Sequence, residues 1–157
     1  MLFRLAGLTA ALGAALAIAA CGGESQETTV ADFRKEYAPI SAAVRGLGED
    51  VGNAVTTAKD KTDAALQLEF AELSEKTTSV AAELAAEEIP DDAKIEAARG
   101  ALVSGLRKGA ADLEAISIAA GENDAAAARA ATVRLVTDSA KIKAPRERLD
   151  KLVLAAQ

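Results

Sequence analysis

An all-α, up-down-up-down antiparallel four-helix bundle is the fold this sequence predicts, on three observations. Apolar residues recur three and four apart over four long stretches, the period of a helix face turned toward a core. Turn or capping residues bound each stretch, and only a few residues join it to the next, which favours antiparallel neighbours. Half of the chain is hydrophobic, much of it alanine, only 3% is aromatic, and Gly and Pro are few. Such usage favours helix over strand, and no stretch alternates Val, Ile or Tyr with polar residues as a strand would.

The first element precedes the bundle. Residues 1–23 read MLFRLAGLTAALGAALAIAACGG. Arg4 supplies a positive start, and from Leu5 to Ala20 every residue but Thr9 is apolar or small. A run of roughly 16 such residues is shorter than the ~20 of a permanent membrane span and reads as a secretory signal, residues 1–20. It ends in Ile18-Ala19-Ala20-Cys21: a branched aliphatic, two small residues and the sole cysteine. This resembles the lipobox of bacterial lipoproteins at all four positions. The resemblance implies that the signal peptidase recognises Ile18, Ala19 and Ala20 and cuts before Cys21. It also implies a diacylglyceryl thioether on Cys21, followed in many bacteria by acylation of the new amino group. Each buried CH₂ contributes ~0.8 kcal/mol to membrane binding, so two or more chains anchor stably where one does not. Ala17-Ile18-Ala19 also satisfies the Ala-x-Ala rule of plain secretion, but a lone cysteine directly after the apolar run favours lipidation. The expected location is the outer face of the cell membrane or the outer membrane. Gly22 after the cysteine resembles the pattern of proteins sent on to the latter. Residues 21–29 are the lipidated tether, which reaches at most about 30 Å.

The bundle is expected over residues 30–157. Thr29 can cap the first helix, with Asp32 completing a variant capping box. Its seam is Val30, Phe33, Tyr37, Ile40, Val44, Leu47, Val51, Ala54 and Ala58. Pro39 and the glycines at 46, 48 and 52 predict a kink, or frayed or irregular winding around 46–52. Gly48 and Gly52, four apart on one face, predict close packing against a neighbouring helix. After the turn Asp60–Asp63, Thr62 caps a second helix with seam Leu66, Phe70, Leu73, Thr77, Val80 and Leu84. Ile89-Pro90-Asp91-Asp92 ends it, and Asp91 can cap the third helix. That helix offers Ile95, Leu102, Leu106, Leu113 and Ile116, broadened by Val103 and Ala110. Gly121 fits its C′ position, and Asn123 or Asp124 caps the fourth helix. The fourth seam is Ala128, Leu135, Ile142, Leu149 and Val153, with a kink or restart at Pro145. Each helix is expected to span roughly 27–33 residues, or about 40–50 Å. Both chain ends then share one end of the bundle with the Ile89-Pro90 turn, the end nearer the membrane. The layout also resembles that of four-helix lipoproteins of alanine-rich bacterial proteomes, a resemblance that carries over no site residues.

Composition excludes several chemistries. The net charge is −6; removing residues 1–20 takes Arg4 away, leaving 17 basic against 24 acidic groups and a net of −7. This balance argues against nucleic-acid binding and against basic adhesion to anionic lipid. One cysteine cannot form an intramolecular disulfide. Histidine is absent, and Met1, the only methionine, leaves with the signal. His-ligated haem, His-containing zinc sites, Glu-x-x-His di-iron centres, Ser-His-Asp catalysis and Met-ligated copper or haem are all excluded.

The remaining candidates are weak. Glu69, Glu72, Glu75, Glu83, Glu87 and Glu88 can bind a hard cation in principle, but no EF-hand spacing is present and a solvated face explains them. Ser139 with Lys141, and Ser104 with Lys108, have the residue types of a Ser-Lys hydrolase without its motifs. The basic stretch Lys141–Arg148 reads as a salt-bridged helix surface with the option of touching headgroups or an anionic wall polymer. Phe33, Tyr37 and Phe70 read as core. The sequence thus predicts a non-enzymatic, membrane-anchored scaffold or interaction module of the cell envelope, with no catalytic, cofactor or metal residues. Its partners are membrane lipid, through Cys21, and an envelope protein. The alternatives are a small-ligand or cation-binding lipoprotein and an envelope hydrolase. Intact mass of the protein extracted from membranes checks the anchor. It is expected to start at Cys21 and include acyl groups, which Cys21→Ala lacks; an unmodified mass starting at Ala20 or Cys21 would make this a secreted protein.

Overall fold

The computed structural model describes residues 28–155. Ile18, Ala19, Ala20 and Cys21, with the signal and most of the tether, lie outside the described residues. Helix α1 spans Val30–Thr57, α2 Asp63–Ala86, α3 Ala93–Gly121 and α4 Ala125–Val153, with a 3-10 turn at Ala58–Asp60. No strand occurs among the described residues. Each helix packs on the next and α4 returns to α1, which gives the antiparallel four-helix bundle. Among the described residues, no helix is long and apolar enough to cross a membrane.

The helix ends follow from side-chain chemistry. Thr29 Oγ1 accepts from the Asp32 N–H at 3.2 Å and donates to the Asp32 carboxylate at 2.6 Å. That second bond, helped by Lys35, holds the Asp32 carboxyl below its ordinary range. Thr62 accepts from the Ala65 N–H, and Asp124 accepts from those of Ala126 and Ala127. Asp92, rather than Asp91, caps α3: its carboxylate accepts from Lys94 and Ile95, while its own N–H donates to the Pro90 carbonyl at 2.7 Å. That bond tightens the turn by one residue. Gly121 is not the C′ residue either. Asn123 takes the left-handed backbone, with φ 56°. Its N–H donates to the Ala120 carbonyl and that of Asp124 to the Ala119 carbonyl, the bond pair of a Schellman stop. The open carbonyls at the end of α2 are met from α3, where Arg99 Nη1 donates to Ala85 at 3.1 Å and Glu87 at 3.0 Å. At 24 residues, α2 is shorter than expected. Neither the irregular winding expected at 46–52 nor the restart expected after Ala144 is found: α1 and α4 stay helical through Pro39 and Pro145.

The apolar seams meet in two clusters. Phe33, Tyr37, Ile40, Leu84, Ile95, Leu102, Leu149 and Val153 belong to the cluster near the chain ends. Phe70, Leu73, Leu113, Ile116, Ala131 and Leu135 belong to the other. Ala131 takes the place expected for Ala128, which stays half-buried like Ile142. The close helix approach lies elsewhere than expected. A Cβ added at Gly48 or Gly52 would meet nothing within 4 Å. At Gly105 it would stand 2.6 Å from the Lys141 carbonyl oxygen, and at Gly109 it would stand 3.1 Å from Ile142 Cδ1. The tight pair is therefore α3 and α4. Pro145 has no N–H to offer the Lys141 carbonyl along the helix, and this oxygen faces the Gly105 backbone. Gly105→Ala is expected to destabilise by about 1–3 kcal/mol through overpacking. Gly48→Ala and Gly52→Ala should each stabilise by about 0.5–1 kcal/mol through helix propensity. Urea unfolding measures both signs, and a loss at Gly48 as large as at Gly105 would contradict this packing.

Candidate functional site

At the end of the bundle that holds the chain ends, α1 is fastened to α4. The Tyr37 hydroxyl donates to Asp150 Oδ1 at 2.7 Å and the Ser41 hydroxyl to the same oxygen at 2.8 Å. Tyr37 and Ser41 are fully buried. Phe33 stacks on Tyr37 with ring centroids 5.6 Å apart. Arg34 Nε donates to the Val153 carbonyl at 2.7 Å, and Thr28 Oγ1 donates to Glu88 at 3.2 Å. Arg146 reaches the other Asp150 oxygen only at 3.8 Å. Its Nε is buried and makes no hydrogen bond.

Further along, α1 and α4 separate and leave an open-sided cleft of about 630 Å³. One wall is Val44, Leu47, Val51 and Val55 of α1, with Gly48 and Gly52 between them. Leu106, Gly109 and Leu113 of α3 form the floor, which extends across the bundle axis to Thr77 of α2. The α4 wall is Leu135, Val136, Ala140 and Ile142. Thr56, Ser139, Lys143 and Arg146 complete the rim, so no acidic side chain lines the cleft. The cleft falls where the core is interrupted: Val44 and Leu106 belong to one apolar cluster, Leu113 and Leu135 to the other. Its cause is missing side-chain volume. Gly48 and Gly52 contribute no side chain, Ser139 and Ala140 contribute little, and α4 leans away toward Gly105 of α3. Val136, on the α4 lip, is 62% exposed.

Few of the sequence candidates come together. Glu69 is held by Lys61 at 2.6 Å, Glu72 by Lys76 at 2.9 Å, and Glu88 accepts from Thr28. Among the described residues, no group of three or more His, Cys, Asp or Glu is placed to hold a metal ion. Ser139 donates to the Val136 carbonyl at 2.6 Å and Lys141 to Asp138 at 2.6 Å, so this pair points apart. Ser104 and Lys108 lie exposed on α3 beside Arg107. Phe33, Tyr37 and Phe70 are core, as expected. The basic stretch divides: Lys141 pairs along its own helix, while Lys143 and Arg146 turn to the cleft. The residues that sequence reasoning missed are Ser41 and Asp150; Lys143 and Arg146 lie within the basic stretch it singled out, but their place at the cleft was not expected. The one available signal was a polar residue beside each seam position, Ser41 beside Ile40 and Asp150 beside Leu149.

Comparison with protein-family models, curated proteins and solved structures finds no match to this chain.

The closed end makes a pH prediction. Burial, and then the Asp150 carboxylate, push the Tyr37 hydroxyl well above its ordinary 10.0. Above that value the unfolded chain loses the proton while the folded chain keeps it, so stability falls as pH rises. Urea unfolding between about pH 9 and 11 is expected to show this fall. Tyr37→Phe should flatten it, while costing about 1 kcal/mol at neutral pH through the lost hydrogen bond. Equal slopes in the two proteins would assign the alkaline loss to other groups.

Proposed function

We propose that this protein is a non-enzymatic binding module of the cell envelope, tethered by a lipidated Cys21, which holds an apolar ligand in the α1–α4 cleft. The observation that carries the reading is the cleft itself: most of its lining residues are aliphatic or glycine, yet its side stands open. Val51, Val55 and Ile142 stay partly exposed there and Val136 is 62% exposed, burial that a few larger side chains would recover. A scaffold that acts only through its outer helix faces has no use for such a gap. Small-ligand binding, the second reading of the sequence, is therefore the better supported. Its cation-binding form has no converging carboxylates behind it among the described residues. A hydrolase would need a serine beside a base, whereas the Ser139 hydroxyl is engaged with a carbonyl of its own helix. The short tether, which enters the bundle at Thr29 beside the Pro90 turn, would keep that end near the bilayer, with the cleft opening sideways above it.

Native mass spectrometry of the full chain extracted from its own membranes tests the proposal. Wild type is expected to carry a non-covalent apolar molecule in addition to the covalent acyl groups. Gly48→Leu combined with Gly52→Leu, which fills the open space, should lack it. Wild type without any adduct, or equal adducts on both proteins, would overturn the reading.

A further inference from the structure

We infer that the ligand of the cleft is a fatty acid, one alkyl chain whose carboxylate is held by Lys143 and Arg146; this rests on the reading of the cleft as a ligand seat. The charges argue for the head. In a chain of net charge −6, the lining contains two cations and no acid. The carboxylate that faces Arg146, Asp150, accepts two hydroxyls on Oδ1 and stands 3.8 Å from Arg146 Nε. Lys143, Arg146 and Asp150 together leave one positive charge, which matches a monoanion rather than a phosphate dianion. Arg146 Nε is buried, makes no hydrogen bond and reaches the Asp150 carboxylate only at 3.8 Å. A buried guanidinium N–H left in this state is unfavourable, and a carboxylate fits the guanidinium fork with two parallel bonds. Lys143 makes no ion pair among the described residues, and Lys141 beside it is already engaged with Asp138.

The walls argue for the tail. From Val44 to Val55 the α1 wall runs about 16 Å at 1.5 Å per residue. Because α4 runs antiparallel to α1, Arg146 stands near Val44, and Leu135 stands near Val55. The cations thus occupy one end of the cleft, while Val51, Val55, Leu113, Leu135 and Val136 extend the apolar walls toward the other. A head bound at Arg146 places its chain along these side chains, where burial is favourable in proportion to the area covered.

The test uses the full chain reconstituted in phosphatidylcholine nanodiscs, with photoactivatable palmitate and, as its uncharged counterpart, photoactivatable hexadecanol. Labelled peptides are mapped by mass spectrometry. Both probes are expected on the lining segments of α1 and α4 in wild type. Lys143→Gln with Arg146→Gln should lower palmitate labelling about tenfold and leave hexadecanol labelling unchanged. Lys143→Gln alone, at an exposed site, should show the same preference in weaker form if the double variant folds poorly. Gly48→Leu with Gly52→Leu should lose both probes. Absence of both probes from the wild-type cleft would overturn the ligand-seat reading itself. Equal palmitate labelling in wild type and the glutamine variants would overturn the fatty-acid assignment and leave the seat standing. Stronger labelling by photoactivatable lysophosphatidic acid than by palmitate would overturn it in favour of a phosphate head.

Discussion

The approach of α4 onto α3, backbone against backbone at Gly105 and Lys141, sets the geometry of the whole bundle. No side chain fits there, so the distance between the two helices is fixed by main-chain atoms. Further polar contacts make α3 the spine. Arg134 of α4 reaches Asp112 at 3.1 Å, and Asp112 is only 8% exposed. On the other flank, Ser74 of α2 donates to the Ala110 carbonyl, Ser117 of α3 donates to the Gln67 carbonyl, and Arg99 closes the end of α2. Three helices are thereby locked through α3. The fourth, α1, packs along its second half through Val51, Ala54 and Val55 and makes no such polar contact there among the described residues, and the cleft is what remains on the flank from which α4 has been drawn.

The cleft joins two features that are separately unfavourable. Its outer aliphatic side chains, Val136 above all, stand open to solvent, and one guanidinium N–H of Arg146 makes no hydrogen bond. Ordinary packing would remove both: larger residues at 48 and 52 would fill the walls, and a carboxylate closer than Asp150 would satisfy Arg146. Natural chains keep unfavourable arrangements of this kind mostly where they serve binding or chemistry. The surroundings sharpen the point, because the acidic surplus of the chain is kept out of the lining while two cations stay in it.

The periodic part of this design was legible in the sequence. Spacings of three and four residues gave the seams, because burial on a helix depends on local geometry alone. Thr29, Thr62 and Asp124 could be read as caps for the same reason: each bonds N–H groups within three residues. Asp92 and Asn123 were missed by small margins, since two adjacent polar residues compete for one cap and the turn's own hydrogen bonds decide between them. The glycines were misjudged for a different reason. A four-residue glycine spacing occurs at 48 and 52 and again at 105 and 109. Only the rotation of each helix against its neighbours determines which pair is pressed. The Asp150 staple and the cleft lay further out of reach. The first joins residues 113 and 109 positions apart, and the second is an absence of atoms created jointly by four helices.

Unequal fastening along α1 has a dynamic consequence. Its first half carries Phe33, Tyr37, Ile40 and Ser41 and is stapled to Asp150. From Gly48 onward the helix buries only Ala54 fully. Regions with few buried contacts open in sub-global steps well below the cost of unfolding the molecule. Amide hydrogens from Gly48 to Thr57 should therefore exchange with solvent through a partial opening that spares the staple. Such an opening would swing the second half of α1 about Asp150 while the spine stays folded.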